Sequence, residues 1–158
     1  MSTESVKAFF ESKNLASLIL TSDTISDTVE HAAELIGCEP CRIAKTMSFL
    51  VGDDPVVIVA SGDSKIDNTK FKACFHTKAK MIPSGEVEGY TGHLPGGVCP
   101  FALKETVKVY LDVSVQRFDV VYTGGGDEHH TVKVTLPQLE SLSGSLGWID
   151  VCKSREQV

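Results

Sequence analysis

Four short segments carry groups suited to chemistry. The first holds Lys45, in Arg42-Ile43-Ala44-Lys45-Thr46-Met47-Ser48-Phe49. An ammonium flanked by Ile43, Met47 and Phe49 is a strong donor to a carbonyl or phosphate if it points inward. On an edge strand the same lysine would block unwanted pairing. The second segment is Gly92-His93-Leu94-Pro95-Gly96-Gly97-Val98-Cys99-Pro100-Phe101. Paired glycines let a backbone approach a ligand closely and present its N–H groups, which suits an oxyanion or carbonyl pocket. A tight turn between strands would use the same residues.

The third segment is Thr123-Gly124-Gly125-Gly126-Asp127-Glu128-His129-His130. Consecutive glycines lower stability through backbone entropy, so they answer another need. No Gly-Lys-Ser/Thr follows, which excludes a phosphate-binding P-loop. Adjacent histidines point to opposite sides of an extended chain, so one of them, His130, is expected at any given pocket. A metalloprotease helix needs its histidines four apart, and these are not. The fourth segment, Cys38-Glu39-Pro40-Cys41, has the spacing of a zinc or redox pair. It follows a helix end, however, whereas a thioredoxin-type pair opens a helix after a strand. Cys74-Phe75-His76 is a poor second ligand pair, so packed thiols and no metal site are expected. Lys65, Lys70, Lys72, Lys78 and Lys80, with His76, form a local basic stretch, either a solvated face or a contact for phosphates.

The elements around these segments follow from periodicity and punctuation. Val6, Phe9 and Phe10 have helical spacing over residues 5–13. Leu15 to Thr21 reads as a strand. Asp27 as N-cap, Glu30 three residues on and Gly37 as a stop frame a helix that buries Val29, Ala32, Ala33 and Ile36. Ile43–Val51 and Val56–Ala60 read as strands around a turn at residues 52–55. A short helix is expected over Asp67–Phe75, and further strands at Val107–Leu111, Asp119–Tyr122, Thr131–Thr135 and Trp148–Val151. Thr135 with Pro137 starts a last helix. Without regular βαβ alternation, the pattern predicts an α/β mixed (α+β) fold: a mixed, partly barrel-like sheet with short helices outside.

The chain of 158 residues, 42% hydrophobic and 23% charged, has the balance of a soluble globular protein. One domain over residues 1–158 is expected. No run approaches the roughly 18 apolar residues of a spanning helix, and the first residues lack the pattern of a signal peptide. A cytoplasmic protein without a membrane partner is therefore expected. Five cysteines cannot all pair within one chain. A net charge of −6 argues against electrostatic coating of nucleic acid, while leaving room for local contact.

Taken in order, the segments resemble the YbaK / prolyl-tRNA synthetase-associated editing-domain family. The resemblance rests on Ala32-Ala33 and Gly37, Ile43-Ala44-Lys45-Thr46, the Pro-Gly-Gly-Val-x-Pro-Phe core of residues 95–101, and Tyr122-Thr123-Gly124-Gly125-Gly126. It implies a deacylase that hydrolyses amino acids wrongly attached to tRNA, often tRNA for proline, with a small amino acid such as alanine or cysteine removed in trans. It places Lys45, Gly96, Gly97 and His130 in catalysis, and Thr46, His93, Pro100, Thr123, Gly124, Gly125 and Gly126 at the substrate. Under that reading water attacks the ester directly. Lys45 holds the terminal phosphate or adenosine, the N–H groups of Gly96 and Gly97 stabilise the oxyanion, and His130 positions the water or the amino group. No cofactor or metal is implied. The partners are the acceptor end of a mischarged tRNA and an aminoacyl-tRNA synthetase. His130 matches the alanine-editing branch, and Ala102 stands where family members often carry glycine. A tRNA- or synthetase-binding module without catalysis is the alternative.

Overall fold

The computed structural model describes residues 2–21, 29–95, 97–127 and 129–154. Its centre is β3 (Asp54–Ser61), whose Pro-Val-Val-Ile-Val-Ala-Ser run is buried throughout. Such a continuous apolar strand must be covered on both faces. It pairs antiparallel with β2 (Ala44–Val51) and parallel with β5 (Lys108–Asp112), which pairs parallel with β8 (Trp148–Ile149). A second, antiparallel sheet has the order β1 (Ile19–Thr21), β7 (His130–Thr135), β6 (Val120–Gly124). One parallel bridge, Ile43 to Tyr122, joins β6 to the start of β2. The two sheets thus curl around one side without closing a barrel. A two-stranded ribbon of β4 (Ser64–Ile66) and β9 (Cys152–Ser154) completes the strands.

Among the described residues five α-helices flank the sheets: α1 (Ser2–Ser12), α2 (Val29–Ile36), α3 (Asn68–Phe75), α4 (Val87–Thr91) and α5 (Leu136–Ser143). The two-residue period of β2 and β3 divides the core. Ala44 and Val59 face one cluster, with Val6 and Phe10 of α1, Phe101 and Leu139. Phe49, Ile58 and Ala60 face the other, with Phe71 of α3 and Val151. Asp67 caps α3 by accepting from the Thr69 and Lys70 N–H groups, and Thr135 with Gln138 forms a capping box on α5. No helix among the described residues is long and apolar enough to cross a membrane.

The mixed sheet with short helices agrees with the expectation from sequence, and several boundaries differ. The β2–β3 turn is only Gly52-Asp53, because Asp54 and Pro55 already pair with Val51 and Leu50. Gly52 supplies the positive φ, +63°, that a two-residue hairpin turn needs. The run from Leu15 is a 3-10 turn over Ala16–Leu18 before three residues of strand. The expected last strand is β8, with β9 beyond it in the ribbon. Asp27 lies outside the described residues; Gly37, at φ +83°, ends α2 as expected.

Candidate active site

Two loops meet backbone to backbone. A Cβ on Gly97 would stand 2.2 Å from the Gly126 carbonyl oxygen, and one on Gly125 would stand 2.8 Å from the His130 Cβ. These contacts exclude any side chain, which accounts for glycine at both positions. Gly124 is looser: its nearest neighbour would be the Val98 carbonyl oxygen at 3.6 Å. Gly126 itself has φ +107°. Gly96 lies outside the described residues. The junction thus brings Gly97, Gly124, Gly125, Gly126 and His130 together.

Hydrogen bonds among Gly125, Asp127, His129 and His130 fix the histidine ring. The Gly125 N–H donates to the His130 carbonyl at 3.0 Å, and the His129 N–H donates to Asp127 Oδ1 at 2.8 Å. The same Oδ1 accepts from His130 Nδ1 at 2.6 Å. A carboxylate accepts only, so Nδ1 carries the proton and Nε2 is left for a ligand. His130 lines a cavity of about 180 Å³ with Lys7, Ala16, Ile19, Thr21 and Gly125. That cavity exists because β1 pairs with β7, setting Thr21 opposite His130. Asp127 and the α1–β1 wall escaped the sequence reading. The Gly-Asp-x-x-His spacing, an Asp beside glycine in a turn, was a usable signal for Asp127; nothing local announces the wall.

The donor role expected of Gly97 needs correction. Its N–H is committed to the Leu94 carbonyl at 2.9 Å. Gly97 therefore acts by allowing close approach and does not itself donate to an oxyanion in this structure. The Val98 and Gly126 N–H groups make no hydrogen bond among the described residues.

Lys45 stands in a different setting. It lies on the β2 face that carries Met47 and Phe49, and its half-buried ammonium donates to the Ser64 carbonyl. The turn holding Ser64 is braced. Ser61 Oγ lies 2.7 Å from both Asp63 Oδ1 and Ser64 Oγ, and the Arg117 guanidinium bonds Asp63 and Ser61. Burial opposes ionisation of Asp63, but the bonds from Arg117 and Ser61 outweigh it and hold its pKa below the usual value. Two residues beyond the Ile43–Tyr122 bridge, the parallel chains reach Lys45 and Gly124. The cavity beside His130 does not include the Lys45 side chain in its lining.

The remaining candidates are interior. His93 is fully buried; Nε2 donates to the Phe101 carbonyl at 2.7 Å and Nδ1 has no partner among the described residues. Burial pushes the pKa of His93 down, against the pull of the Phe101 carbonyl. Pro100 and Thr123 are also buried, and the Thr123 hydroxyl donates to the Gly124 carbonyl at 3.0 Å. Thr46 shares the β2 face of Ala44, and its buried Oγ1 has no hydrogen-bond partner among the described residues. Cys38 and Cys41 are half-buried free thiols, each with its pKa raised first by burial. Among the described residues no three His, Cys, Asp or Glu side chains gather to hold a metal ion.

Residues 25–142 match the aminoacyl-tRNA editing domain family. The chain belongs to that family, the YbaK family of editing domains. It is similar to the uncharacterized protein YwhH of Bacillus subtilis, 45% identical over 99% of this chain and 100% of that protein. It is also 31% identical to a stretch of the proline–tRNA ligase of Limosilactobacillus fermentum, covering 64% of this chain and 19% of the ligase. The match thus spans about a fifth of that relative. In fold the domain is similar to a crystal structure of a protein proposed to be a trans-editing enzyme for prolyl tRNA synthetase. The TM-score is 0.86, with 23% identity, over 97% of this chain and 98% of that one. Ala102 sits at φ +54°, in the left-handed region that glycine enters freely, so the backbone of this domain carries local strain there.

Proposed function

We propose that residues 1–158 act as one editing domain that hydrolyses the ester between a small amino acid and the 3′ end of a mischarged tRNA, in trans to the synthetase that made it. Alanine or cysteine on tRNA for proline is the substrate class in view. The observation that carries this reading is the glycine junction, where an Asp127-oriented His130 faces a small cavity in a chain of the editing family. An aminoacyl ester is already reactive, so positioned water and a few donors suffice. His130 Nε2 accepts a hydrogen bond from the attacking water or from the substrate amino group. The N–H groups of Val98 and Gly126 are the available main-chain donors for the developing oxyanion, and one such donor contributes roughly 3–4 kcal/mol. Lys45, steadied by Ser64, binds the terminal phosphate or adenosine. A ribose hydroxyl of the tRNA helps move the proton. Small size of the cavity admits small side chains and rejects larger ones, a sieve worth about 1–3 kcal/mol per methylene.

A panel of mischarged tRNAs, each incubated with the purified protein, tests this directly. Hydrolysis of a small amino acid from tRNA for proline is the expected result. It should persist in a chelator and disappear in Lys45→Ala with the fold intact. If no mischarged tRNA is hydrolysed while tRNA is still bound, the domain is a binding module instead.

A further inference from the structure

The charge of this acidic chain is segregated. Residues 65–80 hold five lysines against one aspartate, in a protein of net charge −6. The ribbon sharpens the point. Lys65 of β4 is set directly opposite Lys153 of β9. Like charges facing across a strand pair destabilise it. Asn68, Thr69 and Lys72 of α3, with Lys78, line an open groove beyond the ribbon. Lys70 is tied to Asp150 at 3.1 Å. Lys65, Lys72, Lys78, Lys80 and Lys153 have no carboxylate within salt-bridge distance among the described residues.

We propose that this strip, from Lys65 and Lys153 along α3 to Lys72 and Lys78, binds the phosphate backbone of an RNA acceptor stem. The proposal rests on the deacylase reading for its choice of RNA. The strip starts at the residue after Ser64, whose carbonyl holds Lys45. An RNA whose 3′ end reaches Lys45 therefore has its neighbouring phosphates beside these lysines. Asn68 and Thr69 add neutral hydrogen-bonding groups of the kind that contact phosphate and sugar. A lipid surface would demand large apolar side chains among the lysines, and the groove offers only Ala73 and Ala79.

The test is binding of uncharged tRNA, followed by fluorescence anisotropy across a salt series. Lys72→Glu/Lys78→Glu should weaken binding at least tenfold. It should also flatten the dependence of log K on log salt by about 1.4–1.8, since each lost phosphate contact removes about 0.7–0.9. Lys133→Glu, the same type of charge change on β7, should alter neither. Lys65→Thr should weaken binding while melting no lower than the wild type, because it relieves the like-charge pair. In kinetics the double variant should raise KM on full-length mischarged tRNA and leave hydrolysis of free aminoacyl-adenosine unchanged. Wild-type affinity and salt slope in the double variant would overturn the strip, as would equal weakening by Lys133→Glu or a wild type that binds no tRNA. The two readings fail separately. A protein that binds tRNA through the strip without hydrolysing any ester keeps this proposal and loses the deacylase. One that hydrolyses the ester with the strip reversed in charge and affinity unchanged does the opposite.

Discussion

The two loops that meet at the glycine junction each carry a histidine, and the protein treats the rings in opposite ways. His93 is enclosed, its Nε2 tied to the Phe101 carbonyl and its pKa pushed down by burial. His130 has a side chain 23% exposed, with Asp127 on Nδ1 and a cavity beside the ring. A buried neutral ring with a backbone partner holds a loop in shape. A ring oriented by a carboxylate, with its other nitrogen turned to a ligand, can take part in proton and water chemistry. Residue type alone does not separate these roles; partner and burial do.

The strongest way to break the comparison is to force the two loops apart. Gly97→Val places a branched side chain against the Gly126 carbonyl, where a Cβ alone would already stand at 2.2 Å. No rotamer relieves a clash at Cβ, so the backbone must move. Deacylation should fall at least tenfold, about 1.4 kcal/mol in barrier. Stability should fall by about 1–3 kcal/mol, read as a lower melting temperature. Gly124→Ala is the control, with its Cβ in ordinary contact at 3.6 Å, and should melt at or above the wild type. Equal melting of the valine and wild-type proteins would mean that the loops are not locked together.

The local elements around the candidate site were legible in the sequence. The strand that carries Lys45, the loop character of the two glycine segments, and helices α3 and α5 all announce themselves within a few residues. What was not legible depends on distant pairing. The pairing of β1 with β7 has no local signal, and the three-residue strands β4 and β9 are too short to carry a period and exist only through each other. The cavity wall and the Ser64 acceptor of Lys45 follow from those pairings. The fate of the Gly97 N–H is similarly invisible, because a glycine can present its donor to a ligand or spend it on a turn, and here the turn takes it.

A milder perturbation targets Asp127. Asp127→Asn keeps the shape and removes the charge, so Nδ1 of His130 is no longer held as the protonated nitrogen. We expect kcat to fall by about tenfold, at the low end of what proton-transfer groups contribute, with KM little changed. Because Asp127 acts through His130, activity alone does not prove the role. The ring nitrogens of His130, resolved by 15N NMR, should show the Nδ1–H tautomer in the wild type and a mixture in the variant. An unchanged tautomer alongside lost activity would show that Asp127 acts in another way. Ala102→Gly, by contrast, should raise the melting temperature by relieving about 1–2 kcal/mol of left-handed strain, less the added backbone entropy of glycine.

The smallest effect belongs to His93, and it tests the other half of the comparison. Burial lowers the pKa of His93 in the folded state, so between that value and the ordinary one near 6.5 the unfolded chain binds a proton that the folded protein refuses. Stability rises with pH wherever the unfolded state holds more protons. For this ring, then, the folded protein is fully favoured above the unfolded value and loses stability as pH falls below it. His93→Gln retains a side-chain donor for the Phe101 carbonyl and removes the titration. Its melting temperature should decline less steeply from pH 7 to pH 5 than that of the wild type. His130→Gln, made in parallel, should leave the His93 contribution to that decline in place. Identical slopes for His93→Gln and wild type would show that the enclosed ring takes up its proton without penalty, and the contrast between the two histidines would then rest on geometry alone.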